Sequence, residues 1–406
     1  MPYARGVAAV AAVVALTATT PLVAAPPAAA ATDECKTYAG RPWALQRVLL
    51  DELWRQSTGK NVQVAVIDTG VDVKHPQLKQ AVDTSKGRIF LPRNLKDKDG
   101  RKIPRGNKNG TTDTVGHGTR VAGIIAARPA KGTGFVGLAP GATIIPLQQN
   151  DAEGNGNTTG LAAAIDYAVA EGADVINISQ DTANAAEPTP LLKQAVERAL
   201  AQERVVVASA GNDGVGGNTK PTYPASYEGV LAVAAADRNN ERAPFSQSGT
   251  WVDVAAPGVD MISTIPGSGH CPDNGTSFAA PYVAGVAALI KSKHPNWTAR
   301  QITAQIQQTA ERSIAGHDRL VGWGVVDPLR ALTEDDHPIE TPRPHEGITR
   351  AKAPLPADLH LGETTEQRTA RIATYVAVGA VVVVVGLGGA GVAVRDARRR
   401  GRSERR

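Results

Sequence analysis

Four short segments of this 406-residue chain carry side chains that could do chemistry together. Asp68 closes the apolar run Val64-Ala65-Val66-Ile67, where a carboxylate is costly unless a cation or hydrogen-bond donor meets it. His117 lies in Gly116-His117-Gly118-Thr119, at the entry to a small-residue helical stretch, Val121–Ala127. Ser277 follows the turn Asn274-Gly275-Thr276 and opens a long apolar stretch. A helix N-terminus there favours developing negative charge. Asn212, in Ser209-Ala210-Gly211-Asn212, could donate a hydrogen bond to an oxyanion. Taken singly, Asp68 is an ordinary turn cap, His117 and Ser277 are ordinary helix caps, and Asn212 is a turn residue. Their joint occurrence is what those explanations leave unaccounted for.

The elements around them form an α/β pattern. Val62–Ile67, Thr143–Leu147, Val175–Ile178, Val205–Ala208 and Val230–Ala234 read as strands, and Leu161–Glu171, Leu191–Gln202, Ser277–His294 and Ala299–Thr309 as helices. Continuously apolar strands separated by helices predict a mostly parallel central sheet covered on both faces, a three-layer fold. In such sheets, functional residues sit on loops beyond the carboxyl ends of the strands, where all four segments fall.

On Asp68-Thr69-Gly70, His117-Gly118-Thr119, Ser209-Ala210-Gly211-Asn212 and Gly275-Thr276-Ser277, the chain resembles the subtilisin-like serine proteases over about residues 62–330. The order Asp, His, Ser is matched to that family, which is known for it. The resemblance implies Ser277 as nucleophile, His117 as general base and acid, Asp68 as the group that orients His117, and Asn212 as an oxyanion donor. It implies no metal and no cofactor, and protein or peptide substrates. Asp97-Lys98-Asp99-Gly100 has the look of a cation loop but lacks the later ligands. After Val175–Ser179 many subtilisins continue with Leu-Gly on the substrate-pairing edge, whereas this chain has Gln180-Asp181.

Within the family, Arg41-Pro42-Trp43-Ala44-Leu45-Gln46, Leu53-Trp54 and Thr58-Gly59 resemble the N-terminal extension of the mycosins, membrane-anchored proteases associated with type VII secretion in actinobacteria. That likeness implies two roles, limited proteolysis of exported proteins and support of a membrane secretion complex.

The ends fit an exported, anchored protein. Residues 1–31 read as a signal peptide, with Arg5, an apolar run and Ala29-Ala30-Ala31 as cleavage site. Residues 32–61 form the extension, 62–333 the protease domain, and 334–372 a stalk with five prolines. Residues 373–394 are 22 uncharged residues, enough for one transmembrane helix. Residues 395–406 hold seven Arg against two acids, so this tail carries the whole formal net charge of +5. The rest sums to zero, which argues against nucleic-acid binding. By the positive-inside rule the tail is cytoplasmic and the protease domain lies outside the cell membrane.

Two cysteines, Cys35 and Cys271, fit either one disulfide in an oxidising compartment or two buried thiols. A disulfide would bring the extension close to Ser277, so that it wraps the domain; without one, the extension could equally block the cleft. Lys86–Lys108 holds nine Lys or Arg against Asp97 and Asp99. It reads as a solvated loop or as a docking surface for an anionic partner or the lipid surface.

Overall fold

The computed structural model describes residues 35–92, 94, 96, 99–102, 105–151, 156–179, 189–217, 219–344 and 363–403. The expected signal peptide, Asp97, Gln180-Asp181 and much of the stalk lie outside them. The chain forms two units, residues 1–345 and 346–406.

In the first unit the elements run α1 (Trp43–Gln46), α2 (Leu50–Gln56), β1 (Gln63–Asp68), β2 (Arg88–Ile89), α3 (His117–Ala126), β3 (Thr143–Gln148), α4 (Thr158–Ala170), β4 (Val175–Ile178) and α5 (Pro190–Ala201). They continue with β5 (Val205–Ser209), β6 (Leu231–Ala236), β7 (Val254–Pro257), β8 (Met261–Thr264), β9 (His270–Asp273), α6 (Thr276–Lys293), α7 (Ala299–Thr309) and α8 (Pro328–Thr333). Strands β1 to β7 pair in the order β2-β3-β1-β4-β5-β6-β7, and every pairing is parallel. β8 and β9 form a separate antiparallel hairpin.

The strand pleat divides the core. Val64, Val66, Ile144, Val175, Val205, Val207 and Val233 pack with α3, α6 and the extension. Their alternates Ala65, Ile67, Ile145, Ile176, Ile178 and Val206 pack with α4 and α5. This is the expected three-layer arrangement: strands buried on both faces carry no polar alternation. Helix α6 is buried without interruption from Thr276 to Ile290, and its Ala and Gly residues let it lie close to the sheet.

The extension belongs to the same body. Ala44, Leu45, Leu50 and Leu53 are buried in the first core. Trp43 Nε1 donates to Val259 O at 2.9 Å and Trp54 Nε1 to Leu138 O at 3.0 Å. Cys35 and Cys271 are joined in a disulfide, so of the two readings of the cysteines the structure selects the bond. The extension therefore wraps the domain. Beyond α8 the chain stays on the domain at Asp335, which meets Lys293 Nζ at 2.7 Å and His294 Nε2 at 2.5 Å.

The second unit holds α9 (Thr365–Ser403). Its segment 365–398 is the one helix among the described residues long and apolar enough to cross a membrane.

Candidate active site

Asp68 is the last residue of β1, from which the sheet grows to β3 on one side and to β4 on the other. Such a point, where the strand order reverses, opens a crevice beyond the strands' carboxyl ends. Helix α3 starts at His117 and docks on the loop after β1. The contact is close enough that a Cβ on Gly118 would stand 2.2 Å from Gly70 O, so only glycine fits there. The Gly118 N–H donates to Thr69 Oγ1 at 2.9 Å.

This docking brings His117 Nδ1 to 2.8 Å from Asp68 Oδ1 and 3.0 Å from Oδ2. A carboxylate can only accept, so Nδ1 carries the hydrogen and Nε2 is left as the basic nitrogen. Asp68 is fully buried while the His117 side chain keeps 27% of its exposure, which leaves one edge of the imidazole reachable. Burial pushes the His117 pKa down. The charge and hydrogen bond of Asp68, with the charges of Asp113 and Asp273, outweigh that, and the net displacement is upward from 6.5. The site thus stabilises imidazolium, the species formed when histidine takes a proton from a nucleophile.

Ser277 is the second residue of α6 and is 8% exposed. Its neighbour Phe278 packs on the His117 ring with centroids 5.2 Å apart, which sets the start of α6 beside the imidazole. A Cβ at Gly275 would come within 2.9 Å of Ser277 Oγ. Asn212, just beyond β5, is oriented by Thr276: its Oδ1 accepts from Thr276 N at 2.9 Å and from Thr276 Oγ1 at 3.0 Å. With the oxygen engaged, the NH2 group is the donor end of that amide. The four residues singled out by sequence thus fall into two pairs, Asp68 and His117 in direct hydrogen bond and Asn212 and Ser277 linked through Thr276, with Phe278 on the His117 ring joining them.

Two supports were not anticipated. Asp113, 7% exposed, accepts from Thr69 Oγ1, Val115 N, Gly116 N, Thr119 N and Thr119 Oγ1 at 2.6–3.0 Å. It ties the loop carrying Asp68 to the turn carrying His117. The spacing of Asp113 four residues before His117 was the available signal, with nothing local to single it out. The β8–β9 hairpin is the other: Ser263 Oγ and Thr264 Oγ1 donate to Arg120 O and Thr119 O of α3 at 2.7 and 2.8 Å. Among the described residues, no three His, Cys, Asp or Glu side chains are grouped to hold a metal ion.

The arrangement defines a class. The profile of the Subtilase family matches residues 59–324, and the chain belongs to that family of serine proteases. It is 36% identical to subtilisin E of Bacillus subtilis over 288 residues, 70% of each chain. With subtilisin Savinase of Lederbergia lenta it shares 38% over 287 residues, 70% of this chain and 96% of the other. Among solved structures the similarity runs to mycosins. MycP1 with its N-terminal propeptide removed superposes with a TM-score of 0.62 at 34% identity, covering 72% of this chain and 97% of that one. The MycP3 protease from the type VII (ESX-3) secretion system gives 0.61 at 32%, with 74% and 93% covered.

Proposed function

We propose that this serine protease is a membrane-anchored, extracytoplasmic endopeptidase that makes limited cuts in exported proteins, with Asp68, His117 and Ser277 as its triad and Asn212 in its oxyanion hole. The observation that carries this reading is the buried Asp68 hydrogen-bonded to the half-buried His117, 2.8 Å apart, beside the N-terminus of α6. Ser277 Oγ attacks the scissile carbonyl as His117 Nε2 takes its proton, and the new imidazolium is held by Asp68. Asn212 Nδ2 and the Ser277 backbone N–H stabilise the oxyanion. The proton then passes from Nε2 to the leaving amine, and water repeats the sequence to release the acyl group. The apolar segment 365–398 supports anchoring, and the arginine-rich tail supports a cytoplasmic C-terminus.

Fluorophosphonate labelling of the full chain in detergent, beside its Ser277→Ala variant, tests the assignment. Labelling of the parent alone is expected; equal labelling of both proteins would overturn it.

A second reading, support of a type VII membrane complex, is favoured by the mycosin neighbours, among them MycP1, an essential component of the type VII (ESX-1) secretion system. The two roles separate: Ser277→Ala removes cleavage and leaves a supporting role, whereas deletion of 373–406 removes the anchor first.

A further inference from the structure

Beside the crevice, on the side of the disulfide, two buried histidines take no part in the proposed chemistry. His75 is 2% and His270 3% exposed, with ring centroids 5.7 Å apart. His75 lies on the loop after β1, and His270 opens β9 next to Cys271. Their hydrogen bonds fix their protonation. His75 Nδ1 accepts from the backbone N–H of Gln77 at 3.2 Å, and His270 Nδ1 accepts from that of Tyr38 at 3.1 Å. A backbone N–H can only donate, so both Nδ1 atoms must present a lone pair. The remaining nitrogens donate: His75 Nε2–H to Gly269 O at 3.0 Å, and His270 Nε2–H to Gln77 Oε1 at 2.7 Å. Each ring is thus neutral, and a second proton on either one would set an N–H against an N–H.

What these bonds join gives the pair its consequence. Tyr38 belongs to the N-terminal extension, and Lys36 O accepts from His270 N at 3.0 Å. Gly269 ends the hairpin tip, whose Gly267 N–H donates to Asp72 Oδ2 at 2.7 Å. That tip also reaches the catalytic histidine's turn, since a Cβ on Gly116 would meet Pro266 at 3.0 Å.

We propose that His75 and His270 form an acid-sensitive latch. At neutral pH it holds the N-terminal extension and the tip of the β8–β9 hairpin in place beside helix α3, and it opens when either ring takes a second proton. The latch rests on the assignment of the triad only for its consequence, loss of the support that the hairpin gives to the His117 helix.

The surrounding charges do not rescue a protonated pair. The elements around it contribute Asp72 and Lys74 from the loop after β1, Lys36 from the extension, Arg128 from the segment after α3, and Asp273, which lies 3.6 Å from Arg120, from β9. Burial lowers the pKa of His75, and the carbonyl of Gly269 and the charge of Asp72 offset this only in part. Burial, with His75 adding to it, lowers that of His270 from 6.5 to about 4. Because the folded values lie below the open-state value, the closed latch is fully favoured above pH 6.5 and loses its advantage as pH falls from there toward 4. For His270 alone, linkage between 6.5 and about 4 gives a rise of about 100-fold in the opening equilibrium at pH 4.

The test is hydrogen exchange, corrected for intrinsic rates, on the full chain in detergent at pH 7 and pH 4, in a Ser277→Ala background that cannot cleave itself. Protection at Tyr38 and across residues 265–271 is expected to fall about 100-fold at pH 4 while that of β1 and β4 holds. In His75→Asn/His270→Asn protein, where an amide oxygen can replace each Nδ1 and nothing titrates, the local loss is expected to disappear. Unchanged protection in the parent, or an equal loss in the double variant, would overturn the latch. Should the double variant not fold, the single His270→Asn variant carries the same comparison. NMR titration of the parent's histidines gives an independent check, and ordinary values near 6.5 for both rings would also overturn it. None of these readouts needs peptidase activity, so their failure leaves the triad assignment standing.

Discussion

At the scale of single residues, the candidate site is built from donors and acceptors that leave each proposed catalytic group one role. Asp68 and the fixed Nδ1–H of His117 leave Nε2 as the only basic nitrogen, and Thr276 turns the Asn212 amide so that its NH2 end donates. Replacing Asn212 with Ala is therefore expected to lower kcat by about 10²–10³ with little change in KM, because the lost bond forms only once the oxyanion exists. Steady-state kinetics on a peptide substrate checks this. The pH dependence follows from the raised His117 value. Its neutral form is the active base, so the acid limb of kcat/KM is expected above pH 6.5. Asp68→Asn should move that limb to lower pH as well as cut the rate, since the largest offset to burial is removed. Asp68 was singled out in the sequence by the apolar run it closes, and His117, Asn212 and Ser277 by the small residues around them. Asp113 was not: four of its five donor groups lie within six residues of it, as around any turn-capping Asp, and only the fold brings the fifth, Thr69 Oγ1, to it.

At the scale of elements, what positions the chemistry is close approach. The N-terminus of α3 reaches His117 to Asp68 only because Gly118 lets it lie on Gly70 O. Gly118→Ala is expected to push helix and strand apart, and a misplacement of about 1 Å can cost 10² in rate. Its signature would be a large fall in kcat with a smaller loss of stability, measured by kinetics and thermal unfolding together. β4 and α7 match their expected bounds, and β1, β3, β5, α4, α5 and α6 come within a few residues of theirs, because apolar runs and helix caps mark them. Examples of the caps are Asn157 on α4 and Thr298 with Gln301 on α7. β7, β8 and β9 were not among the expected strands, and β9, His-Cys-Pro-Asp, has no apolar alternation to mark it. The helix expected at Val121–Ala127 starts four residues earlier, at His117, because Gly116 at φ +89° provides the break before it. The hairpin's staple is also open to test. Reducing Cys35–Cys271, which spans 236 residues, is expected to lower stability by as much as about 5 kcal/mol in the chain-entropy account. Denaturant unfolding with and without reductant measures it.

At the scale of the whole molecule, the chain continues to hold on to the protease body after α8, and the means are electrostatic. Asp335 is buried between Lys293 and His294 at the C-terminal end of α6, and the His294 ring stacks on Trp297 at 4.1 Å. Burial alone would raise the Asp335 pKa. The hydrogen bonds from His294 and Lys293, together with their charges, outweigh it and hold the carboxyl below its ordinary 3.8. The sign follows: the folded state binds this proton more weakly than the unfolded state, so the clamp contributes its full stability above pH 3.8. The contribution is lost as pH falls through the lower folded value. Asp335→Asn should therefore destabilise the first unit at pH 7 by about 1.5–3 kcal/mol, the range for hydrogen bonds to charged groups. The difference from the parent should shrink below pH 3.8. Parallel urea melts at pH 7 and pH 3 decide it: an equal difference at both values would mean that the clamp acts through packing rather than charge. The histidine latch loses its hold at higher pH, between 6.5 and about 4. Acidification should therefore loosen the latch contacts at Tyr38 and residues 265–271 first and the clamp at Asp335 later, two separable steps with the sheet still intact between them.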